Sequence, residues 1–259
     1  MAEPNSPTII RLQGVDLPVR RYGSGRPLLM LHGGGGPMSA HPFATALAQR
    51  FEVIEPVHPG FADTKIPERF DDLEDLVYLY LDLMDHLALR DAVVLGHSLG
   101  GWAACEIAVR NINRIAKLVL VDSVGVKVSG RDTRDIVDVF STSQIELNRL
   151  AWHNPALAPD FGKLTPEALR TVATNRVALG LYGWDPYLHN PRLKHRLHRI
   201  KVPTLIIWGA SDGIVKPDYG RGLQRMIPGA ELAVLEFAGH SPQIEQPTAF
   251  VDQVVRFAA

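Results

Sequence analysis

Val93-Val94-Leu95-Gly96-His97-Ser98-Leu99-Gly100-Gly101 is the stretch whose reading decides the fold. An apolar run suited to a strand covered on both faces enters Gly-x-Ser-x-Gly, and the helix-forming stretch Trp102-Ala103-Ala104-Cys105-Glu106-Ile107 follows at once. A tight strand-to-helix turn fits that order. Crowding at such a turn leaves no room for a Cβ at Gly96 or Gly100 and forces Ser98 into a strained backbone conformation. Ser98 Oγ then stands at the tip, with the positive end of the following helix facing any developing oxyanion.

Outward from this turn, short β-rich runs alternate with helical stretches from Thr8 to about Leu120, the pattern of parallel strands joined by crossover helices. Thr8-Leu12 and Leu17-Tyr22 read as an opening antiparallel pair. Pro27-Leu31, Phe51-Val57, Ala92-Gly96, Ile115-Val121, Val202-Trp208 and Glu231-Glu236 read as the later strands. Between Asp71 and Leu89, Leu73, Leu76, Val77, Tyr80, Met84 and Leu87 recur at three- and four-residue steps, which predicts a helix with Asp71 and Glu74 at its start. From Ser123 to Ile200 strand-like runs disappear and helix signals such as Thr165-Pro166-Glu167 take over. The exit, Pro191-Lys201, puts Leu193, Leu197 and Ile200 on one helical face. The expectation is an α/β chain with a mostly parallel eight-stranded sheet flanked by helices, residues 1–122 and 201–259 forming the core and 123–200 a helical cap insertion.

The 259 residues are 46% hydrophobic and 21% charged, and 27 Lys+Arg against 28 Asp+Glu leave a net charge of −1. That balance offers no basic field for a nucleic acid or an acidic membrane. The N-terminal Met-Ala-Glu-Pro-Asn-Ser-Pro lacks the basic and apolar regions of a signal peptide, and no stretch is apolar enough to span a bilayer. The single cysteine, Cys105, forms neither an internal disulfide nor a cysteine metal cage and reads as a core residue. A cytoplasmic location is expected.

A serine at such a turn needs a base. His240, in Phe237-Ala238-Gly239-His240-Ser241-Pro242, falls just after the last predicted strand, at the strand-end loops where open α/β sheets place ligands. The imidazole needs a carboxylate, and Asp212 in Trp208-Gly209-Ala210-Ser211-Asp212-Gly213 lies just beyond the preceding strand, in the chain order Ser98, Asp212, His240. Asp122, at the end of the strand after the serine, is the rival. Leu29-Met30-Leu31-His32-Gly33-Gly34-Gly35-Gly36-Pro37 puts a glycine run directly after a strand, so Gly34 and Leu99 are the candidate oxyanion donors. That run matches neither nucleotide-binding pattern. His195 and His198 lie among Arg and Lys, which repel a cation, so no metal and no cofactor is expected.

These motifs, with His58-Pro59-Gly60-Phe61 and Gly-His-Ser-Pro-Gln-Ile-Glu-Gln-Pro at the end, resemble those of the α/β-hydrolase superfamily from Thr8 to Phe257. The resemblance implies the α/β-hydrolase fold, with Ser98 as nucleophile, His240 as base, Asp212 as acid and 123–200 as a cap over the pocket. A serine at the elbow argues against the epoxide hydrolase and haloalkane dehalogenase branches, which place an Asp there. The branch that hydrolyses carbon-carbon bonds of aromatic ring-cleavage products is similar in size and glycine-rich loop, but usually has a Trp where this chain has Ser241. The expected activity is cofactor-independent hydrolysis of a small carboxylic ester or lactone through an acyl-enzyme. A carbon-carbon bond hydrolase and a low-turnover ligand receptor are the alternatives. Of the cap aromatics, Trp152, Trp184 and Tyr187 are the expected substrate contacts, Trp184 from a bent loop facing the cleft, while Tyr182 packs the cap or lines the pocket.

Overall fold

In the computed structural model, which describes residues 6–110, 112–130 and 132–258, the eight expected strands form one sheet. They are β1 (Thr8–Leu12), β2 (Val15–Gly23), β3 (Arg26–Leu31), β4 (Phe51–Pro56), β5 (Ala92–His97), β6 (Ile115–Val121), β7 (Thr204–Gly209) and β8 (Glu231–Leu235). Their order is β1-β2-β4-β3-β5-β6-β7-β8, and only the β1–β2 and β2–β4 pairs are antiparallel. Met1–Asn5, which carry most of the N-terminal reading, lie outside the described residues.

Alternation along the central strands builds two cores, one on each face. Leu29, Leu31, Val94, Leu118, Leu120, Ile206 and Trp208 enter one core, and their neighbours Leu28, Met30, Val93, Leu95, Val119, Val121, Leu205 and Ile207 enter the other. This is why those strands read as unbroken apolar runs. Each fully buried Leu or Ile among them contributes roughly 1.5–3 kcal/mol of burial.

Helices α1 (Pro42–Leu47), α2 (Leu73–His86) and α3 (Leu99–Arg110) join the early strands, and α6 (Pro217–Met226), α7 (Pro242–Glu245) and α8 (Pro247–Ala258) follow the late ones. The helix predicted from Asp71 starts one step later than its cap residues suggested. Asp72 is the N-cap, accepting from Glu74 N–H, and Asp75 closes the capping box in place of Glu74.

Between β6 and β7 lie α4 (Gln144–Ala151) and α5 (Pro166–Gly183), the latter capped by Thr165 with Pro166 at its first turn. The exit segment is not the single helix its periodicity suggests. It forms two 3₁₀ turns, Leu193–His195 and Leu197–Arg199, each closed by an i to i+3 bond, with Leu193, Leu197 and Ile200 all fully buried. Turns of either kind bury that face, so the apolar spacing could not separate them. Two isolated bridges, Gly125 to His189 and Ile136 to Val215, tie the irregular segment after β6 to the segment after α5 and to the stretch after β7.

Candidate active site

Ser98 links β5 to α3 with φ +51, the left-handed region that a side chain rarely adopts. Its N–H donates to Val121 O at 2.9 Å, and its carbonyl accepts Trp102 N–H at 3.1 Å. The flanking glycines are required sterically. A Cβ at Gly96 would lie 2.2 Å from Gly100 O, and one at Gly100 would lie 2.2 Å from Leu31 O.

His240 reaches Ser98 from the loop after β8. Its Nε2 accepts from Ser98 Oγ at 3.1 Å, and its Nδ1–H donates to Asp212 Oδ2 at 2.7 Å. Asp212 has a fully buried side chain, and its other oxygen accepts the N–H groups of Ile214 (2.8 Å) and Val215 (3.0 Å). Such a relay can take a proton from a serine hydroxyl and hold the resulting imidazolium. His97, which the sequence reading left unassigned, is buried, and that burial pushes it down to about 3. It is therefore neutral, and its Nε2–H donates to His240 O at 2.7 Å.

Asp122 sits behind this relay. Its Oδ1 accepts Gly209 N–H at 3.0 Å, while His240 Nδ1–H donates to Asp212. Burial, followed by the charge of Asp212, holds the Asp122 carboxyl well above the usual carboxylate range. A neutral acid cannot be the charged partner of an imidazolium.

The glycine run packs directly on the elbow. A Cβ at Gly33 would meet His97 Nδ1 at 2.8 Å and Ser98 Cβ at 3.1 Å. His32 is fully buried and shifted down to about 4 by that burial, and its Nδ1–H donates to Gly33 O at 2.8 Å. Gly36 N–H donates to the same oxygen at 3.1 Å. Because a trans peptide points its C=O and N–H in opposite directions, holding the Gly33 carbonyl aims the Gly34 N–H the other way. Beneath, His58 N–H donates to His32 Nε2 at 3.0 Å, His58 Nε2–H donates to His32 O at 2.7 Å, and Tyr80 O–H donates to His58. Leu99 opens α3, where the first N–H groups have no intrahelical acceptor.

Above Ser98 and His240 lies a cavity of about 300 Å³ lined mainly by apolar side chains, among them Val139, Leu147, Val172, Leu179 and Ile214. Trp152 lines it; the other two expected aromatics do not. Trp184 is 65% exposed and packs edge-on to Phe140 at 5.4 Å, because α5 ends at Gly183 and the chain turns outward. Tyr187 uses its hydroxyl to accept from Val139 N–H (2.8 Å) and donate to Val137 O (2.7 Å), pinning a neighbouring loop. Tyr182 is buried and donates to Pro59 O at 2.9 Å, so it packs α5 against the loop after β4. Gln144, Asn148 and Arg176, which sequence reading missed, supply polar groups to the lining. They lie on two helices whose facing only the fold defines. A larger cavity, of about 500 Å³, lies beside Trp102 and Arg192 and does not include Ser98.

Cys105 is buried, and that burial raises its thiol. Among the described residues, Asp122, Asp212 and His240 are the one group of ligand-type side chains close enough to share an ion, with one atom each within 4.8 Å; His195 and His198 form no such group. His240 Nδ1–H already donates to Asp212 there. No helix of the described residues is long and apolar enough to cross a membrane.

Comparison with known proteins agrees with this fold. The chain is 29% identical over 250 residues to a dihydrolipoyllysine-residue acetyltransferase component of an acetoin cleaving system from Pseudomonas putida, covering 90% of this chain and 63% of that longer protein. It is 28% identical over 268 residues to a pimeloyl-[acyl-carrier protein] methyl ester esterase from Nitrosospira multiformis, covering 94% and 98% of the two. The crystal structure of a meta-cleavage product hydrolase superposes with a TM-score of 0.77 at 25% identity, covering 97% of each chain. The profile of the alpha/beta hydrolase family matches residues 28–253, and the chain belongs to that family.

Proposed function

We propose that this protein is a serine hydrolase that cleaves a small carboxylic ester or lactone through an acyl-enzyme, without a cofactor. The observation that carries the reading is the unbroken relay from Ser98 Oγ through His240 to Asp212 at the floor of an apolar cavity. In the first step His240 Nε2 takes the hydroxyl proton as Ser98 Oγ attacks the carbonyl carbon, while Asp212 holds the imidazolium. The N–H groups of Gly34 and Leu99 receive the oxyanion. His240 then returns the proton to the leaving alcohol, and a water deprotonated by the same imidazole releases the acid. A volume of about 300 Å³ suits a short acyl or single-ring group better than a long chain.

Residues 123–200 act in this reading as the cap, with Trp152 on the substrate and Trp184 and Tyr187 supporting the wall. A panel of activated esters and lactones, run with and without EDTA and beside a fluorophosphonate label, tests it. Turnover that survives chelation and is blocked by labelling is expected. Loss in EDTA restored by a divalent ion overturns the cofactor-free reading.

A second reading, carbon-carbon bond hydrolysis of a ring-cleavage product, is favoured by the meta-cleavage hydrolase superposition and by Arg176. A dienoate carries a carboxylate, and Arg176 is a positively charged side chain in the lining, its guanidinium also donating to Val139 O. A dienoate in the same panel decides between the two. A ligand receptor would bind panel members without turning them over.

A further inference from the structure

Asp122 is an acid that the proposed chemistry leaves without a task. It is fully buried at the end of β6, in the left-handed region at φ +41, and its Oδ2 has no hydrogen-bond partner. Strain and an orphaned buried oxygen on one residue call for a compensating interaction. The neighbouring group is Asp212, also a carboxyl, and oxygens of the two lie within 4.8 Å of each other and of His240. Two carboxylates are both acceptors, so they can bond only if one carries a proton. Asp212 already receives three donors, from Ile214, Val215 and His240, whereas Asp122 receives one, from Gly209. The proton therefore belongs on Asp122.

We propose that Asp122 is a permanently protonated carboxylic acid that donates its O–H to Asp212, and so acts as a positioning residue for the Asp212–His240 pair. The idea rests on the serine hydrolase reading for its effect on rate, though not for the protonation itself. The charged groups acting on Asp122 are Asp212 and Glu245, both negative, with His240 across Asp212. Burial and those charges push its proton affinity well up, in the same direction as the geometry. The extra donor restricts rotation of the Asp212 carboxylate, and it keeps the buried pair of acids at a single negative charge, matched to one imidazolium.

The test has two independent arms. In D2O at neutral pH, a wild-type minus Asp122→Asn infrared difference spectrum should contain the carbonyl stretch of a protonated carboxylic acid. This arm needs no substrate, so it stands even if esters are not turned over. In the second arm, Asp122→Ala removes the donor and should lower kcat/KM by about ten- to a hundred-fold. Asp122→Asn should recover most of that loss, since its amide can donate to Asp212 while its carbonyl accepts Gly209 N–H. The acid limb of its pH profile should stay in place. No carboxylic acid band overturns the proposal. So does an Asn variant as slow as Ala with the acid limb moved about one unit to lower pH, because that marks the loss of a real negative charge beside the imidazole. The Asn variant is isosteric, so where Ala folds poorly its rate and acid limb are read against wild type instead.

Discussion

On the floor of the cavity, Ser98, His240, Asp212 and the glycine loop hang from the ends of β5, β8, β7 and β3, and nearly every polar atom among them is held by another. The roof, residues 123–200 in the proposed reading, is held differently. Its bonds to the rest of the chain are scattered along its length, among them His240 N–H to Ala151 O (2.7 Å), Gly213 N–H to Leu150 O (2.9 Å), the Asn175 amide to Gly35 O (3.1 Å) and Asn190 to Glu106 (2.7 Å). It also leaves large apolar side chains in solvent, among them Ile145 at 85% exposure and Val177 at 67%. Floor and roof meet where the last carbonyls of α4 accept N–H groups from the loops that carry His240 and Asp212. A reaction needs fixed distances, whereas selection among substrates needs only a shaped wall. Substitutions below should therefore destroy turnover, and those above should redistribute it.

The largest effect expected is for Ser98→Ala, which should lower turnover of an activated ester by about 10⁵-fold or more and abolish fluorophosphonate labelling with the fold intact. Near-normal activity in that variant would move the chemistry away from the elbow altogether. Asp212→Asn comes next, at on the order of 10⁴ in kcat, because the imidazole loses its orienting partner. A larger loss in Asp122→Asn than in Asp212→Asn would exchange the two acids.

A third expectation concerns the stability of the floor. Burial lowers His32 (to about 4), His97 (to about 3), His41 and His58 from the 6.5 they have unfolded. Between pH 6.5 and about 4 the unfolded chain binds protons that the folded chain does not, so stability is full above 6.5 and falls as pH drops. Asp122 and Glu55, raised by burial, keep protons in the folded state and oppose that fall. The lowered histidines outnumber the two opposing acids, so a net loss is expected. The melting temperature should decline across that window, more steeply in Asp122→Asn, where one opposing site is gone. A flat profile would mean that the buried histidines are hydrated.

The smallest effects belong to the roof. Trp152→Ala should change kcat/KM by about 1–3 kcal/mol between large and small acyl groups. Trp184→Ala, which removes a ring packed on Phe140 outside the cavity, should shift an acyl-length series by one constant factor. A change in the shape of the Trp184 series would return that ring to the substrate.

The sequence by itself determined the strands, the elbow and the chain order of the relay residues. Two-residue alternation and Gly-x-Ser-x-Gly are local rules, since a buried strand needs apolar neighbours and a crowded turn needs glycine whatever lies elsewhere. It also placed Thr165 and Pro166 at the start of α5, again from a local preference. Only the tertiary structure decided which acid holds His240, because Asp122 and Asp212 both end neighbouring strands and differ by a hydrogen bond between residues 28 positions apart. It likewise decided that Trp152 lines the cavity while Trp184 faces outward, and that Arg176 joins the lining with Ser98. Those outcomes depend on how α4 and α5 are rotated over the sheet, and that rotation is set by long-range contacts such as Asn175 to Gly35 and Tyr182 to Pro59 rather than by any period in the chain.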